Sequence, residues 1–382
     1  MQAIRSKQAR QTMGIAYAAS RCAIGIALVF GCYSLSVAAA AEGPLLRPAE
    51  TSRFAQHAVI EALGLAGKRL VAVGERGIIL LSDDDGLHWR QANTPVSVTL
   101  TAVQFVDEQY GWAVGHGGVV LFSEDGGSHW TRQLDGVLAA QLALSEAQAG
   151  QSQGAISNAQ RLVKEGADKP FLALSFTDRR HGTVVGAYGL AMHTNDGGKT
   201  WRSWVARTGD ARALHLYAVK QVGNVIWVAG EQGFVAHSVD GGTTFEPVST
   251  PYKGSFFVLG ASPTGTVVVA GLRGNAYRTN DEGKSFVRVT FDMPATFTDV
   301  FHTSRNEWWI SNQAGHVYRS TDDAVSFTPI GSRALAPLNG IVQTGRGDII
   351  GAGFAGVTEI LSSTPKAIAG VDSHGGQPGD RQ

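Results

Sequence analysis

Gly115-His116-Gly117-Gly118-Val119-Val120-Leu121-Phe122-Ser123-Glu124-Asp125-Gly126-Gly127-Ser128-His129-Trp130 is the stretch whose reading decides the fold. Gly115 and Gly118 bracket a tight turn, because glycine enters positive φ without a Cβ clash. Val119 to Phe122 is a short apolar β run. Ser123-x-Asp125-x-Gly127-x-x-Trp130 is a second turn. In it the Asp carboxylate can accept backbone N–H groups, the Gly relieves a left-handed backbone, and the Trp packs back under the hairpin.

The pattern recurs along the chain. Gly74-x-x-Gly77 leads to Ser82-x-Asp84-x-Gly86-x-x-Trp89, and Gly186-x-x-Gly189 to Thr194-x-Asp196-x-Gly198-x-x-Trp201. Gly230-x-x-Gly233 leads to Ser238-x-Asp240-x-Gly242-x-x-Phe245, and Gly271-x-x-Gly274 to Thr279-x-Asp281-x-Gly283-x-x-Phe286. A worn sixth copy runs from Asn312-x-x-Gly315 to Ser320-x-Asp322-x-Ala324-x-x-Phe327. A seventh keeps Gly353-x-x-Gly356 but has Leu361 where Ser should stand. The copies start at 74, 115, 186, 230, 271, 312 and 353, so successive spacings are 41, 71, 44, 41, 41 and 41. A period of 41 with one insertion of about thirty residues marks a repeat architecture. Each unit parses into four short strands of alternating polarity. In the second unit these are Thr101 to Val106, Gly111 to Val114, Val119 to Phe122 and His129 to Gln133. First strands of later units begin at Phe171, Leu214, Phe256, Thr298 and Leu338. Seven four-stranded antiparallel units arranged radially make an all-β, seven-bladed propeller over 42–363.

The ends differ from this body. Residues 1–41 hold Arg5, Lys7, Arg10 and Arg21, no acid, an apolar run from Ala23, and Ala39-Ala40-Ala41 before Glu42. That pattern describes a cleaved secretory signal peptide and a secreted, periplasmic protein. A lipoprotein site at Val29-Phe30-Gly31-Cys32 is the weaker alternative, since Phe30 is bulky where a small residue is wanted. Both cysteines, Cys22 and Cys32, leave with the leader, so the remainder has no disulfide or Cys-ligated metal. Four cations and no acid leave with it too, so 28 basic residues face 32 acidic ones, which disfavours a nucleic-acid partner. Leu45 to Phe54 is expected to supply the strand that the seventh unit lacks, and 364–382 reads as a disordered tail. Apolar spacing at Val137, Leu138, Leu142 and Leu144, then at Ile156, Ala159, Leu162 and Val163, predicts a helical hairpin over 136–167 between blades 2 and 3.

In an up-and-down blade the Gly-x-x-Gly turns and the connections between blades share one face, and the Asp-containing turns lie on the other. The first face mixes cations, aromatics and a His with its glycines, and carries the hairpin. Arg76, His116, Tyr188, Glu231 and Arg273 are therefore the candidate partner-binding residues. Asp84, Asp125, Asp196, Asp240, Asp281 and Asp322 recur once per blade, which suits a structural, turn-closing role and not one convergent catalytic site. His193 and His237 at equivalent strand positions are expected to face the surface. No metal or cofactor site is expected, because zinc needs three converging ligands and an EF-hand acid is absent at Thr94.

The Ser/Thr-x-Asp-x-Gly-x-x-Trp/Phe turn resembles the Asp-box (BNR) repeat of sialidases, sortilin-type receptors and some glycoside hydrolases. The longer unit, as in Gly115 to Trp130, is similar to the photosystem II stability/assembly factor family over roughly 60–363. That resemblance implies a non-catalytic protein-binding scaffold or assembly factor for a membrane protein complex, and the chain is expected to be a monomer. The family's non-photosynthetic relatives stand beside RND-type exporters, which implies a partner of that class. Cationic residues on one face matter in the photosynthetic members; here Arg76 and Arg273 occupy such turns and five turns lack Arg. The alternative is a carbohydrate-binding or glycoside-hydrolysing, sialidase-like propeller. Sialidases carry an Arg-Ile-Pro element, and none occurs in this sequence.

Overall fold

The computed structural model describes residues 43–362 apart from 211 and 332–335. The leader with its cysteines and the expected disordered tail lie outside the described residues. Seven antiparallel sheets follow one another in sequence, at 60–91, 100–134, 171–203, 216–247, 256–289, 297–330 and 338–361. Among the described residues six sheets have four strands and the seventh has three. The chain is a seven-bladed β-propeller. Between blades 2 and 3 stand α1 (Gly136–Ala149) and α2 (Gln153–Glu165), the helical hairpin.

Six of the blades are held at their outer end by the same hydroxyl–carboxylate network, seen in blade 2. Ser123 Oγ donates to Asp125 Oδ1 at 2.9 Å and accepts the Gly127 N–H at 2.9 Å. Asp125 Oδ1 also accepts the His129 N–H, and Trp130 Nε1 donates to the Gly127 carbonyl at 2.8 Å. Trp130 lies buried among Val71, Leu81 and Val103, so the turn is fastened to the core between blades 1 and 2. Gly127 sits at φ 85°, and an added Cβ would meet Leu81, Phe105 and Trp130 at 3.3–3.4 Å. The worn copy keeps the network: Ala324 holds φ 61° and donates its N–H to Ser320 Oγ.

The Gly-x-x-Gly turn works differently from the expected pair of left-handed glycines. Gly115 is extended (φ −177°), not left-handed. It is required because a Cβ there would stand 2.2 Å from the Thr99 carbonyl. The close approach lets the turn lie flat on the incoming connection, where His116 N donates to the same carbonyl. The second glycine, Gly118, is left-handed at φ 65°.

The innermost strand of every blade carries a bulge near its start, with register breaks at Ile60/Ala62, Leu100/Ala102, Leu216/Ala218, Phe256/Val258, Phe297/Asp299 and Leu338/Gly340, and at the matching Phe171 pairing. Bulges re-aim one side chain. Side-chain bonds then stitch neighbouring blades around the axis. Thr101 Oγ1 donates to the Phe171 carbonyl, Gln104 Nε2 to the Phe176 carbonyl, and the Gln221 and Ile341 amides donate to Ser175 Oγ and Asp299 Oδ2.

The expected latch does not form. Residues 43–54 contain no strand. Their backbone is occupied by blades 1 and 2: Ser97 N donates to Pro44 O, Ala49 N to Thr94 O, and Arg132 Nη1 to Leu45 O at 2.7 Å. Leu45 packs in the apolar cluster between those blades. The ring closes instead through Asn339, whose Nδ2 donates to Ile60 O and Glu61 Oε2 at 3.1 Å, and through the Arg346–Asp85 ion pair at 2.9 Å.

Replacing Gly127 by Val forces a β-branched residue into a left-handed, tightly lined position and should cost about 2–4 kcal/mol. Ala324→Gly trades relief of the same strain against chain entropy and should change stability by less than about 1 kcal/mol. Urea unfolding of both variants checks this, and equal losses would contradict the turn assignment.

Candidate functional site: the face of the Gly-x-x-Gly turns

The turn tips are built from a residue pair between the two glycines. The second of the pair is left-handed in five blades: Arg76 (φ 54°), Gly117 (70°), Tyr188 (56°), Gln232 (55°) and Arg273 (58°). Blade 2 uses glycine there at no steric cost. Four blades keep long side chains in a conformation that costs them on the order of 1 kcal/mol each. Of these four side chains, Tyr188 packs within the fold and Gln232 accepts from Arg212, while Arg76 and Arg273 stand exposed.

The candidate residues do not converge on one point. Arg76, His116 and Arg273 are exposed, each at its own blade tip. Tyr188 is 36% exposed and is the centre of a cluster. Lys169 Nζ stands 4.7 Å from its ring centroid, the Arg161 guanidinium 5.5 Å, and the His215 ring 4.7 Å. Burial works against the Lys169 charge, yet Asp168 and Glu165, at 2.6 and 2.8 Å, overcome it and hold the ammonium above its ordinary range. Glu231 reaches the same cluster through His215, but much of its carboxylate is engaged. It accepts the His215 N–H at 2.9 Å and pairs with His215 Nδ1 at 3.2 Å. Glu75 does the same for Val59 in blade 1. Both acids tie a turn to the incoming connection, so Glu231 has an internal task that the sequence reading did not assign.

Apolar side chains also stand exposed on this face. Phe54 and Phe354 are 58% and 59% exposed, and Leu272, Val137, Leu138 and Val163 also expose apolar surface. A groove of about 620 Å³ separates α2 from the connection after blade 3, lined by Arg161, Asn158, Val205, Asp210 and Arg212. The hairpin is not a loose appendage. Ala139, Ala140, Ala143, Ala147 and Leu162 are buried in one cluster with Trp112 and Phe171, while Val137, Leu138 and Val163 face outward. Its alanine face could have been read at helical spacing; its docking site could not.

The opposite face is organised by the six Asp-box carboxylates. The His88 N–H holds Asp84 down to about 2, and the Thr244 N–H does so for Asp240. The Ser285 hydroxyl is the main cause at Asp281, also about 2. At Asp322 burial opposes the charge, but Ser326 and Ser320 prevail and leave it at about 2; Asp125 and Asp196 are lowered likewise. All six acids close their own turns, on separate blades. His193 and His237 do not face the surface as expected. They are buried, stacked on Trp204 at 4.1 Å and packed on Trp227 at 4.6 Å, because the strand edge there is covered by the tryptophans. Among the described residues no three His, Cys, Asp or Glu side chains group as metal ligands.

The family model described as "Photosynthesis system II assembly factor YCF48" matches residues 152–292, from α2 through blade 5. That stretch is similar to photosystem II assembly factors. A curated relative, the photosystem II assembly lipoprotein Ycf48 of Synechococcus sp. (strain CC9902), is 29% identical over 139 residues. The match spans 36% of this chain and 42% of that relative, less than half its length. A solved structure of YCF48 bound to D1 peptide superposes with TM-score 0.59 at 16% identity, covering 84% of this chain and 98% of that one. YCF48 from Cyanidioschyzon merolae gives 0.57 at 18% identity, over 80% and 96%. The WD40 propeller domain of Doa1 gives 0.60 at 11% identity, over 84% and 97%. At these identities the structural likeness is one of fold, and the assembly-factor relation rests on the sequence match.

A carboxylate with a lowered folded-state pKa adds stability that is present above its unfolded value near 4 and is lost as pH falls toward the folded value. The propeller should therefore hold its melting temperature down to about pH 4 and lose it between about pH 4 and 2. Asp240→Asn with Asp281→Asn should lower the neutral-pH melting temperature and shrink that acid-side drop. An unchanged drop would remove the box carboxylates as its cause.

Proposed function

We propose that this propeller is a non-catalytic scaffold that binds a protein partner at or near a membrane, through the face that carries the Gly-x-x-Gly tips and the helical hairpin. The observation that carries the reading is the contrast between the faces. One face spends its acids on its own turns. The other presents Arg76, Arg273, Tyr188, Leu272 and Phe354 outward, several of them on a strained backbone, beside a packed hairpin with Val137, Leu138 and Val163 exposed. Aromatic and Arg anchors amid polar neighbours are the composition of interface centres.

The similarity to an assembly factor, one structure of which holds a peptide of D1, supports a peptide segment of a membrane protein as the bound element. An RND-type exporter is the partner class that the family resemblance implies. Secretion follows from the leader at 1–41. The matched relative is a lipoprotein by name, which keeps lipidation at Cys32 as a second reading of that leader.

Because the hairpin's alanine face closes the core between blades 2 and 3, deleting it would test folding more than binding. Leu138→Glu with Val163→Glu, and separately Arg76→Glu with Arg273→Glu, should leave the melting temperature within a few degrees. Each pair should reduce partner recovery from envelope extracts at least tenfold, the Arg pair in a salt-sensitive way. Lys199→Ala with Lys284→Ala on the box face should recover the partner normally. Loss with the box-face pair and retention with the other two would reverse the assignment of faces.

A further inference from the structure

At the axis, the seven bulge residues converge. Glu61, Thr101, Leu172, Tyr217, Phe257, Thr298 and Asn339 come one from each blade and line a cavity of about 190 Å³. The bulges sit where the innermost strands begin, so the cavity opens toward the Gly-x-x-Gly face. Its wall is lopsided. Leu172, Tyr217 and Phe257, from three successive blades, make an apolar arc, with the two rings edge to face at 4.8 Å. Glu61 and Asp299, with Asn339 between them, make the facing arc.

These carboxylates are short of countercharge. Glu61 accepts from the Asn339 amide and Asp299 from the Ile341 N–H, and among the described residues neither forms an ion pair. Burial pushes Asp299 up to about 6, and burial with the neighbouring Glu75 lifts Glu61. Lys220 lies two residues further along the innermost strand of blade 4 than Ala218 of the cavity wall, and its ammonium interacts with Asp299. Burial works against that ammonium, and Glu61 has no cation of its own, so the acidic arc of the cavity is incompletely neutralised. Both acids also stitch blades, Glu61 to Asn339 and Asp299 to Ile341, but Thr101, Gln104 and Ser175 make the equivalent stitches elsewhere with neutral groups, so stitching does not by itself call for a charge.

We propose that the axial cavity is a binding site for one cationic group on an apolar stem, a primary ammonium or a guanidinium, entering from the Gly-x-x-Gly face. The cation would sit between Glu61 and Asp299, and its stem against Leu172, Tyr217 and Phe257, whose ring faces favour cations as well as hydrocarbon. The volume admits one long side chain, not a folded segment. A Lys or Arg of a docked partner and a free amine share this chemistry. The first source rests on the proposed docking face; the second does not.

Calorimetric titration of the chain from residue 42 onward at pH 8 with three probes of one shape decides the matter: phenethylammonium, 2-phenylethanol and 3-phenylpropanoate. The ammonium should bind at least tenfold more tightly than the other two, and at least tenfold more weakly to Glu61→Gln, which keeps the bond to Asn339 and the fold. Lys220→Met, which removes the competing ammonium, should bind it more tightly. N-acetyl-Gly-Lys-Gly-amide binding alongside phenethylammonium assigns the site to a partner side chain, whereas phenethylammonium alone assigns it to a free amine. Equal binding of ammonium and alcohol, preference for the carboxylate, no binding by any probe, or an unchanged Glu61→Gln would each overturn the proposal. None of these results depends on whether a partner is recovered from membranes.

Discussion

One hydroxyl in each of six blades carries the architecture. Ser82, Ser123, Thr194, Ser238, Thr279 and Ser320 each donate to a carboxylate two residues on and accept the amide four residues on. That shared oxygen fixes the turn, and the turn aims a Trp or Phe into the seam with the preceding blade. Without it the outermost strand, only two to four residues long, would have too few ladder bonds to hold its place. Blade 7, where Leu361 replaces the hydroxyl, has no such strand among the described residues.

The blades and their count were legible because every copy needs the same few residues at the same spacing. The box identifies an outer turn by hydroxyl, acid, glycine and aromatic, and all four proved to have contacts of their own. Ring closure was not legible. It depends on Asn339 reaching Ile60 across 279 positions and on the Arg346–Asp85 ion pair, while the backbone of 43–49 is engaged by blades 1 and 2. The first glycine of six tips was recognised as required, but for the wrong reason, since a close approach to a carbonyl leaves the same mark in sequence as a left-handed backbone.

The candidate site shows the same division. Exposure of Arg76, His116, Tyr188 and Arg273 followed from topology alone. The inward turn of Glu231, the cation pair around Tyr188 and the docking site of the hairpin did not, because each depends on contacts between segments far apart in the chain. The bulge ring at the axis was hidden for a further reason: Glu61, Thr101, Leu172, Tyr217, Phe257, Thr298 and Asn339 share a position and no chemistry. A structural ring tends to repeat one residue type, whereas this one divides into an apolar and an acidic arc.

The proposed function gives the two faces different tasks, the box face closing its own turns and the Gly-x-x-Gly face meeting a partner. Site-specific photocrosslinking in the native envelope tests this most directly, with the reactive residue placed in turn at 76, 188 and 273 and at the exposed box-face positions 87, 239 and 325. The account predicts one common adduct from the first three positions and none from the second. A common adduct from 87, 239 and 325, with none from 76, 188 and 273, would contradict it.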